Sequence, residues 1–162
     1  MTFQSDIARG THALARRPSG TSSITTHLRE LLKPVADVLL RIAQSRVTNQ
    51  IWRLGTRPAN WDGNGSAAPN PLSVPKAAAL AERLILLAGR QNFEWIDPRA
   101  GLDESGDVVL EWWRDDRKLT IYVQPDSVEY IKSWGPDIEN QMESGLLGET
   151  AFAKLWEWLQ RS

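Results

Sequence analysis

The feature that most constrains the fold is a change in hydrophobic periodicity near residue 93. Beyond it, apolar and polar residues alternate with a period of two, which is typical of strands that bury one face. Turn-forming residues separate the alternating runs, and Gly135 and Pro136 end the pattern. Because short turns join antiparallel neighbours, we expect an antiparallel meander of about four strands. The predicted strands are Phe93–Ile96, Val108–Trp113, Leu119–Val123 and Val128–Ile131, with a longer acidic loop at Pro98–Gly106.

Helical periodicity flanks this meander on both sides. Ser73 is a candidate N-cap for a helix that ends near Gly89 and has an alanine-rich apolar face. A last helix, Thr150–Gln160, presents one apolar stripe that suits packing on a sheet: Phe152, Leu155, Trp156 and Leu159. The predicted class is therefore α+β, with two N-terminal helices, a meander of about four strands, and a C-terminal helix packed on one sheet face.

The sequence allows two starting positions for the first of these helices. Its apolar residues recur every three or four positions, at Leu28, Leu32, Val35, Leu39 and Ile42. This stripe predicts an amphipathic helix over residues 28–55, which we expect to be an arm or an interaction helix. Residues 28–54 of this helix offer a surface for a homodimer. Pro34 leaves two starts open, because proline suits a first helical turn and disrupts a helix interior. The helix begins near Pro34, or it begins near Thr26 and kinks.

Charge is distributed unevenly along the chain. Residues 1–60 hold nine basic and three acidic side chains, whereas residues 61–162 hold ten basic and seventeen acidic ones. We expect a flexible basic tail (1–27), the amphipathic helix (28–55) and an α+β domain (56–162). The basic segment offers contacts for a partner protein or for phosphates through eight arginines: Arg9, Arg16, Arg17, Arg29, Arg41, Arg46, Arg53 and Arg57.

Several kinds of chemistry are excluded or disfavoured by composition. The chain has no cysteine, which excludes thiol catalysis, cysteine-ligated zinc, iron–sulfur clusters and disulfides. Its two histidines, His12 and His27, lie in the predicted tail, which disfavours histidine-based catalysis. No nucleotide-binding or metalloprotease motif is present. We therefore expect a non-catalytic protein with no cofactor and no metal.

The start of the chain and its apolar runs bear on location. Residues 1–8 lack the charged region that opens a secretory signal. No apolar run approaches the ~18–20 residues that a membrane span requires. We expect a cytoplasmic protein with no membrane contact.

Two weaker site hypotheses come from carboxylates and aromatic residues. Asp62 and Glu111 could serve a hydrolase if the fold brought both carboxylates into one pocket. The eight tryptophans suit core filling between helix and sheet better than ligand stacking. Trp113 is the exception, because its place on the outer sheet face makes it the main candidate for an exposed aromatic.

One short segment carries a family resemblance. Residues 60–66, Asn-Trp-Asp-Gly-Asn-Gly-Ser, resemble the Asn-Trp-Asp-Gly-x-Gly-Ala signature of a group of small uncharacterised bacterial proteins. The likeness covers roughly residues 50–160, with Ser66 in place of the usual alanine, and implies a domain boundary more than a function. The signature residues also have a physical reading as a structural turn more than a ligand site: Asn60, Trp61, Asp62, Gly63 and Gly65.

Three functions remain open from the sequence. The first is a small soluble binding module, an accessory or neutralising subunit of the antitoxin or immunity kind, whose partner is another protein. The alternative is a nucleic-acid-associated regulator that uses the Arg-rich N-terminal segment. The third and weakest is the carboxylate-dependent hydrolase.

Overall fold

The computed structural model describes residues 21–137 and 139–161, with side chains from residue 31 onward. It contains three helices, α1 (Thr21–Leu54), α2 (Ser73–Arg90) and α3 (Glu149–Gln160). Five strands lie between α2 and α3: β1 (Arg99–Leu102), β2 (Val108–Arg114), β3 (Arg117–Val123), β4 (Val128–Trp134) and β5 (Met142–Leu146). The fold is α+β with a C-terminal helix, as predicted. By internal contacts the chain divides into two compact units, one ending at Pro34 and the other beginning at Val35.

The sheet is an antiparallel meander in which spatial order follows chain order. Its three central strands confirm the alternating pattern, with Trp112 opposite Leu119 in one pair and Thr120 opposite Ile131 in the next. The β2–β3 turn contains Asp115 in the left-handed region, at φ 55°. Aspartate adopts this conformation more readily than most residues, so it suits a two-residue hairpin turn.

The predicted strand at Phe93–Ile96 is wrong, because this segment is not part of the sheet. Its backbone carbonyls accept hydrogen bonds from indole N–H groups instead of from a neighbouring strand. Trp112 Nε1 donates to the carbonyl of Ile96 at 2.8 Å, and Trp156 Nε1 donates to the carbonyl of Glu94 at 3.1 Å. The segment is thus tied to the sheet and to α3 through side chains.

The predicted count of about four strands is not exact, because the sheet has five. β1 falls inside the segment that we predicted as an acidic loop, and β5 follows the Gly135-Pro136 pair at which we expected the meander to end. Neither strand shows period-two alternation over enough residues to be recognised. Each pairs with one longer neighbour, β1 with β2 and β5 with β4.

Helix α1 starts earlier than predicted and runs through Pro34. Its backbone includes residues 21–27, which we predicted to belong to the tail. The rest of the predicted tail, with Arg9, Arg16 and Arg17, lies outside the described residues. The Arg29 side chain also lies outside the described part of the structure. The C-terminal end agrees with the prediction, since Gly55 follows Leu54 and its N–H donates to the Trp52 carbonyl at 3.1 Å.

Helix α2 ends one residue beyond Gly89, which we expected to follow the helix. Asn92 supplies the left-handed residue, at φ 56°, and the Phe93 N–H donates to the Ala88 carbonyl at 2.9 Å. This is the hydrogen-bond pattern of a Schellman cap. Gly89 serves another purpose, because a Cβ at that position would lie 2.7 Å from Leu40 Cδ1 of α1.

The core lies between one sheet face and the helices. Both α2 and α3 contact β2 and β3, and the buried stripe of α3 consists of the four predicted residues. The C-terminal half of α1 contributes Ala43, Val47, Ile51 and Leu54. Trp95 stacks on Trp156 at 5.1 Å between ring centroids, and the edge of Trp112 meets both rings. From Thr21 to Gln160, no described helix has the length and apolarity needed to cross a membrane.

Candidate functional site

The signature segment folds into a compact turn held by its own side chains. Asp62 Oδ1 accepts hydrogen bonds from the Asn64 N–H at 2.9 Å and from the Ser66 hydroxyl at 2.8 Å. Asn60 Oδ1 accepts the Gly65 N–H at 2.7 Å. Asn60, Gly63 and Gly65 all have positive φ, which glycine and asparagine tolerate. The polar groups of the signature are therefore largely used within the turn itself.

The signature turn and the residues after it are fastened to the β1–β2 loop. The Ala67 N–H donates to the Glu104 carbonyl, and the Asn70 N–H donates to the Gly106 carbonyl, each at 2.8 Å. Gly106 permits this approach, because a Cβ there would lie 2.1 Å from the Ala68 carbonyl oxygen. The segment thus joins the end of α1 to one edge of the sheet.

Trp61 is the half-buried member of the signature. Its ring packs against the hydrophobic core, and the Arg57 guanidinium lies 4.9 Å from the ring centroid. Such a cation–π contact is favourable by about 0.5–1 kcal/mol at an exposed site. The indole Nε1 is buried and has no hydrogen-bond partner among the described residues. Arg57 is consequently occupied by the chain's own tryptophan.

An open cleft of 430 Å³ lies beside this turn, lined by Trp61, Asp62, Leu102, Asp103, Glu104 and Ser105. The Asp103 carboxylate is committed to backbone amides, since its Oδ1 accepts from the N–H groups of Ser105 and Asp107, both at 2.9 Å. The Asn64 N–H, followed by the Ser66 hydroxyl, holds the pKa of Asp62 below its ordinary value. Asp62 is therefore ionised at neutral pH and is unsuited to donate a proton.

The structure does not bring Asp62 and Glu111 together. Glu111 lies on the outer face of the sheet, where its carboxylate contacts Lys118 Nζ at 2.6 Å, and it does not line the cleft. Among the described residues, no group of three or more acidic or histidine side chains is arranged to hold a metal ion. The cleft therefore lacks the Asp62–Glu111 pair on which the hydrolase hypothesis depends.

The described arginines do not form one basic surface. Arg41, Arg46 and Arg53 are exposed on α1, but Arg41 is about 140° around the helix axis from Arg46, by the rotation per residue of an α-helix. Arg46 also forms an ion pair with Asp97. Together with the Arg57–Trp61 contact, this arrangement leaves separate cations instead of a continuous phosphate-binding stripe.

Trp113 lies on the outer sheet face and is 46% exposed. Lys118 Nζ sits 5.0 Å from its ring centroid and also pairs with Glu111. One face of the indole is thus partly covered by a cross-strand lysine, since Trp113 and Lys118 are register partners. Trp113 packs as part of a mixed-charge surface.

Among the described side chains, several exposed apolar residues lie together on α1. Val35, Val38, Leu39 and Ile42 are 57%, 55%, 61% and 52% exposed, and we call these four residues the α1 patch. Next to them is a groove of 620 Å³ between α1 and the end of α2, which Leu39 and Ile42 line together with Phe93 and Trp95. The sequence indicated the stripe through Val35, Leu39 and Ile42. It did not indicate Val38, nor the contribution of Phe93 and Trp95, which we had assigned to a strand.

Comparison of the chain with protein-family models, with curated proteins and with solved structures finds no match. The likeness to the group with the Asn-Trp-Asp-Gly-x-Gly-Ala signature therefore stays a prediction from the sequence.

Proposed function

We propose that this chain is a small non-catalytic protein-binding module, an accessory or neutralising subunit of the antitoxin or immunity kind, whose partner docks on the α1 patch. One observation carries the proposal. Four large aliphatic side chains on one helix are more than half exposed, while the next turns of the same helix are core. A cytoplasmic location belongs to the same proposal, and cell fractionation would check it.

The energetics favour a partner over permanent exposure. Burying a large aliphatic side chain completely is favourable by about 1.5–3 kcal/mol. In the C-terminal half of α1 this gain is realised within the domain, through Val47, Ile51 and Leu54. Contiguous apolar patches on a protein surface commonly mark interaction sites. The α1 patch and the adjoining groove form such a surface.

The charges beside the patch favour an acidic partner helix. Between residues 35 and 54, α1 carries three arginines and a single acidic residue, Asp37. Arg46 is already paired with Asp97. Arg41 is the exposed cation left beside the patch, three residues after Val38 and on the side away from Arg46. An amphipathic helix with carboxylates along one side of its apolar stripe would place apolar side chains on the α1 patch and carboxylates near Arg41.

Two synthetic helical peptides test this proposal. Both carry the same leucine stripe, flanked by glutamates in one peptide and by lysines in the other. Fluorescence anisotropy with the full chain should show at least tenfold tighter binding of the glutamate peptide, a difference of about 1.4 kcal/mol. The double variant Leu39→Glu/Ile42→Glu should weaken that binding at least tenfold. Leu72→Glu is the matched control, because Leu72 is 63% exposed and precedes α2.

The outcomes separate the possible occupants of the patch. Equal binding by the wild-type chain and the double variant, or no binding of either peptide, would overturn the proposal. A partner co-purified from the native host should be lost with the double variant and retained with Leu72→Glu. The predicted homodimer through residues 28–54 uses the same surface. It would appear as self-association that the double variant abolishes and that competes with peptide binding.

The nucleic-acid alternative stays a prediction with its own test. Binding to DNA or RNA through the arginines should weaken steeply as salt increases. Absence of any mobility shift at ~50 mM salt would remove this alternative. Deleting residues 1–27 should reduce the binding if the N-terminal arginines make the contacts.

A further inference from the structure

The sheet ends in a free strand edge at β5. In the sheet order, β5 pairs with β4 alone, and no described residue forms a strand on its other side. The Leu147 N–H donates to the Val128 carbonyl at 2.8 Å and the Trp134 N–H donates to the Gln141 carbonyl at 3.0 Å. Hydrogen-bonded pairs alternate in an antiparallel ladder. The backbone N–H and C=O groups of Met142, Ser144 and Leu146 therefore point away from β4.

This edge has few of the features that keep sheet edges from pairing. Short strands, lysines, prolines, bulges and covering loops are the usual protection. β5 is short, but it contains neither lysine nor proline. Its single charge, Glu143, lies on the helix side of the sheet, where it accepts hydrogen bonds from Tyr130 Oη at 3.0 Å and Lys132 Nζ at 2.7 Å. On the outer face, Met142 is 44% exposed and Leu146 is 72% exposed.

The side chains of β5 complement a second copy of the same strand. When two β5 strands pair antiparallel about a two-fold axis at Ser144, the three residues whose backbone groups point away from β4 lie opposite one another in the two copies. Their backbone N–H and C=O groups can then form about six hydrogen bonds. In that register, Met142 lies opposite Leu146 of the second copy on the outer face. Glu143 lies opposite Gly145 of the second copy, so the two carboxylates do not face each other. Moving the axis by one residue to Glu143 would place the two Glu143 carboxylates opposite each other. It would also pair fewer of the backbone N–H and C=O groups that point away from β4.

We propose that β5 is a dimerisation edge, where two copies pair their β5 strands antiparallel about Ser144 and join their sheets into one continuous sheet. Burial of Met142 against Leu146 supplies apolar area, and the paired backbone groups fix the register. The proposal does not rest on the α1 patch. The two surfaces are separate in sequence and can be disabled independently.

A single-cysteine variant gives a positive test of the register. The wild-type chain has no cysteine, so Ser144→Cys introduces one thiol per copy. Directly opposed residues in a hydrogen-bonded pair have Cα atoms about 5.5 Å apart, within the range that a disulfide spans. Mild oxidation of the full chain should convert Ser144→Cys to a covalent dimer. The control Ser105→Cys, in the exposed β1–β2 loop, should form no covalent dimer under the same conditions.

A second variant tests the dimer without oxidation. Leu146→Lys places a charge opposite Met142 of the second copy and should raise the dimer dissociation constant at least tenfold in sedimentation equilibrium. Leu72→Lys, at a leucine that is 63% exposed, should leave that constant unchanged. At a concentration low enough for both chains to be monomeric, thermal unfolding of Leu146→Lys should match the wild type, because Leu146 is mostly exposed.

Three results would overturn the proposal. The first is a wild-type chain that stays monomeric at ~100 μM, a concentration that detects dissociation constants in the micromolar range. The second is a dimer that dissociates with Leu39→Glu/Ile42→Glu and not with Leu146→Lys, which would assign the association to the α1 patch. The third is a monomeric chain that captures an extended foreign peptide along β5.

Discussion

The Ser73 hydroxyl donates a hydrogen bond to Asp107 Oδ1 at 2.5 Å, and both residues are buried. Ser73 is the first residue of α2, and Asp107 directly precedes β2, 34 positions later in the chain. The hydroxyl therefore fixes the start of α2 against the start of a central strand. We predicted Ser73 as an N-cap, but its hydroxyl contacts the sheet and makes no helix-capping hydrogen bond.

Removing this hydroxyl should destabilise the domain. Ser73→Ala leaves a buried carboxylate without its side-chain donor, and an unsatisfied buried group costs about 1–3 kcal/mol. Urea unfolding should show that loss, whereas Ser105→Ala, in an exposed loop, should stay close to the wild type. If Ser73→Ala had the same urea midpoint of unfolding as the wild type, the Ser73–Asp107 hydrogen bond would contribute nothing to stability.

Gly106 should be intolerant of a side chain. Its φ is +84°, and a Cβ would lie 2.1 Å from the Ala68 carbonyl oxygen. Gly106→Ala should lower the free energy of unfolding by about 1–3 kcal/mol, because either the backbone or the Ala67–Glu104 hydrogen bond must move. Gly101→Ala is the control, since no atom lies within 4 Å of its ideal Cβ. A thermal midpoint that falls equally for both variants would argue against the steric explanation.

The adjacent residues Trp112 and Trp113 should differ sharply in their effect on stability. Trp112 is 1% exposed, and its Nε1 donates to the Ile96 carbonyl. Trp112→Phe creates a cavity and removes that donor, for a cost of about 2–4 kcal/mol. Trp113→Phe, on the outer face, should cost less than ~0.5 kcal/mol. Chemical unfolding of both variants measures the difference, and similar values would contradict the assignment of opposite faces.

The Asp62 turn should contribute a pH-dependent stability. Hydrogen bonds from Asn64 and Ser66 lower the pKa of Asp62 in the folded state, so the unfolded chain binds a proton at higher pH than the folded chain. The contribution is therefore present above the unfolded pKa of about 3.9 and is lost as the pH falls through the lower folded value. Carboxyl ¹³C titration by NMR should show the lowered pKa directly.

Substitutions in the same turn provide the controls. Ser66→Ala removes one of the two main donors and should move the pKa of Asp62 back towards its ordinary value. Asp62→Asn should make the loss of stability below about pH 4 shallower than in the wild type. An Asp62 pKa that does not respond to Ser66→Ala would show that the hydroxyl does not stabilise the ionised carboxylate.

Local patterns were sufficient for some elements. The alternation in β2 and β3 and the apolar stripe of α3 can be recognised from neighbouring residues, because each of these elements buries one continuous face. The alternation in β4 can be recognised in the same way, because Val128 and Tyr130 pack against the core from one face. Composition also excluded thiol and cysteine–metal chemistry, since no cysteine is present. The positive-φ positions of the signature turn correspond to Asn60, Gly63 and Gly65, residue types that accept this backbone conformation.

Other features depend on contacts between distant residues, which no local pattern contains. β1 and β5 are strands because β2 and β4 supply their hydrogen-bond partners, and Phe93–Ile96 is not a strand because two distant indoles bind its carbonyls. On α1, Leu39 and Ile42 of the predicted stripe are exposed, whereas Val47 and Ile51, which lie beyond that stripe, are buried. Which part of an amphipathic helix is covered depends on where the sheet and the other helices end. That position is decided only by the tertiary structure.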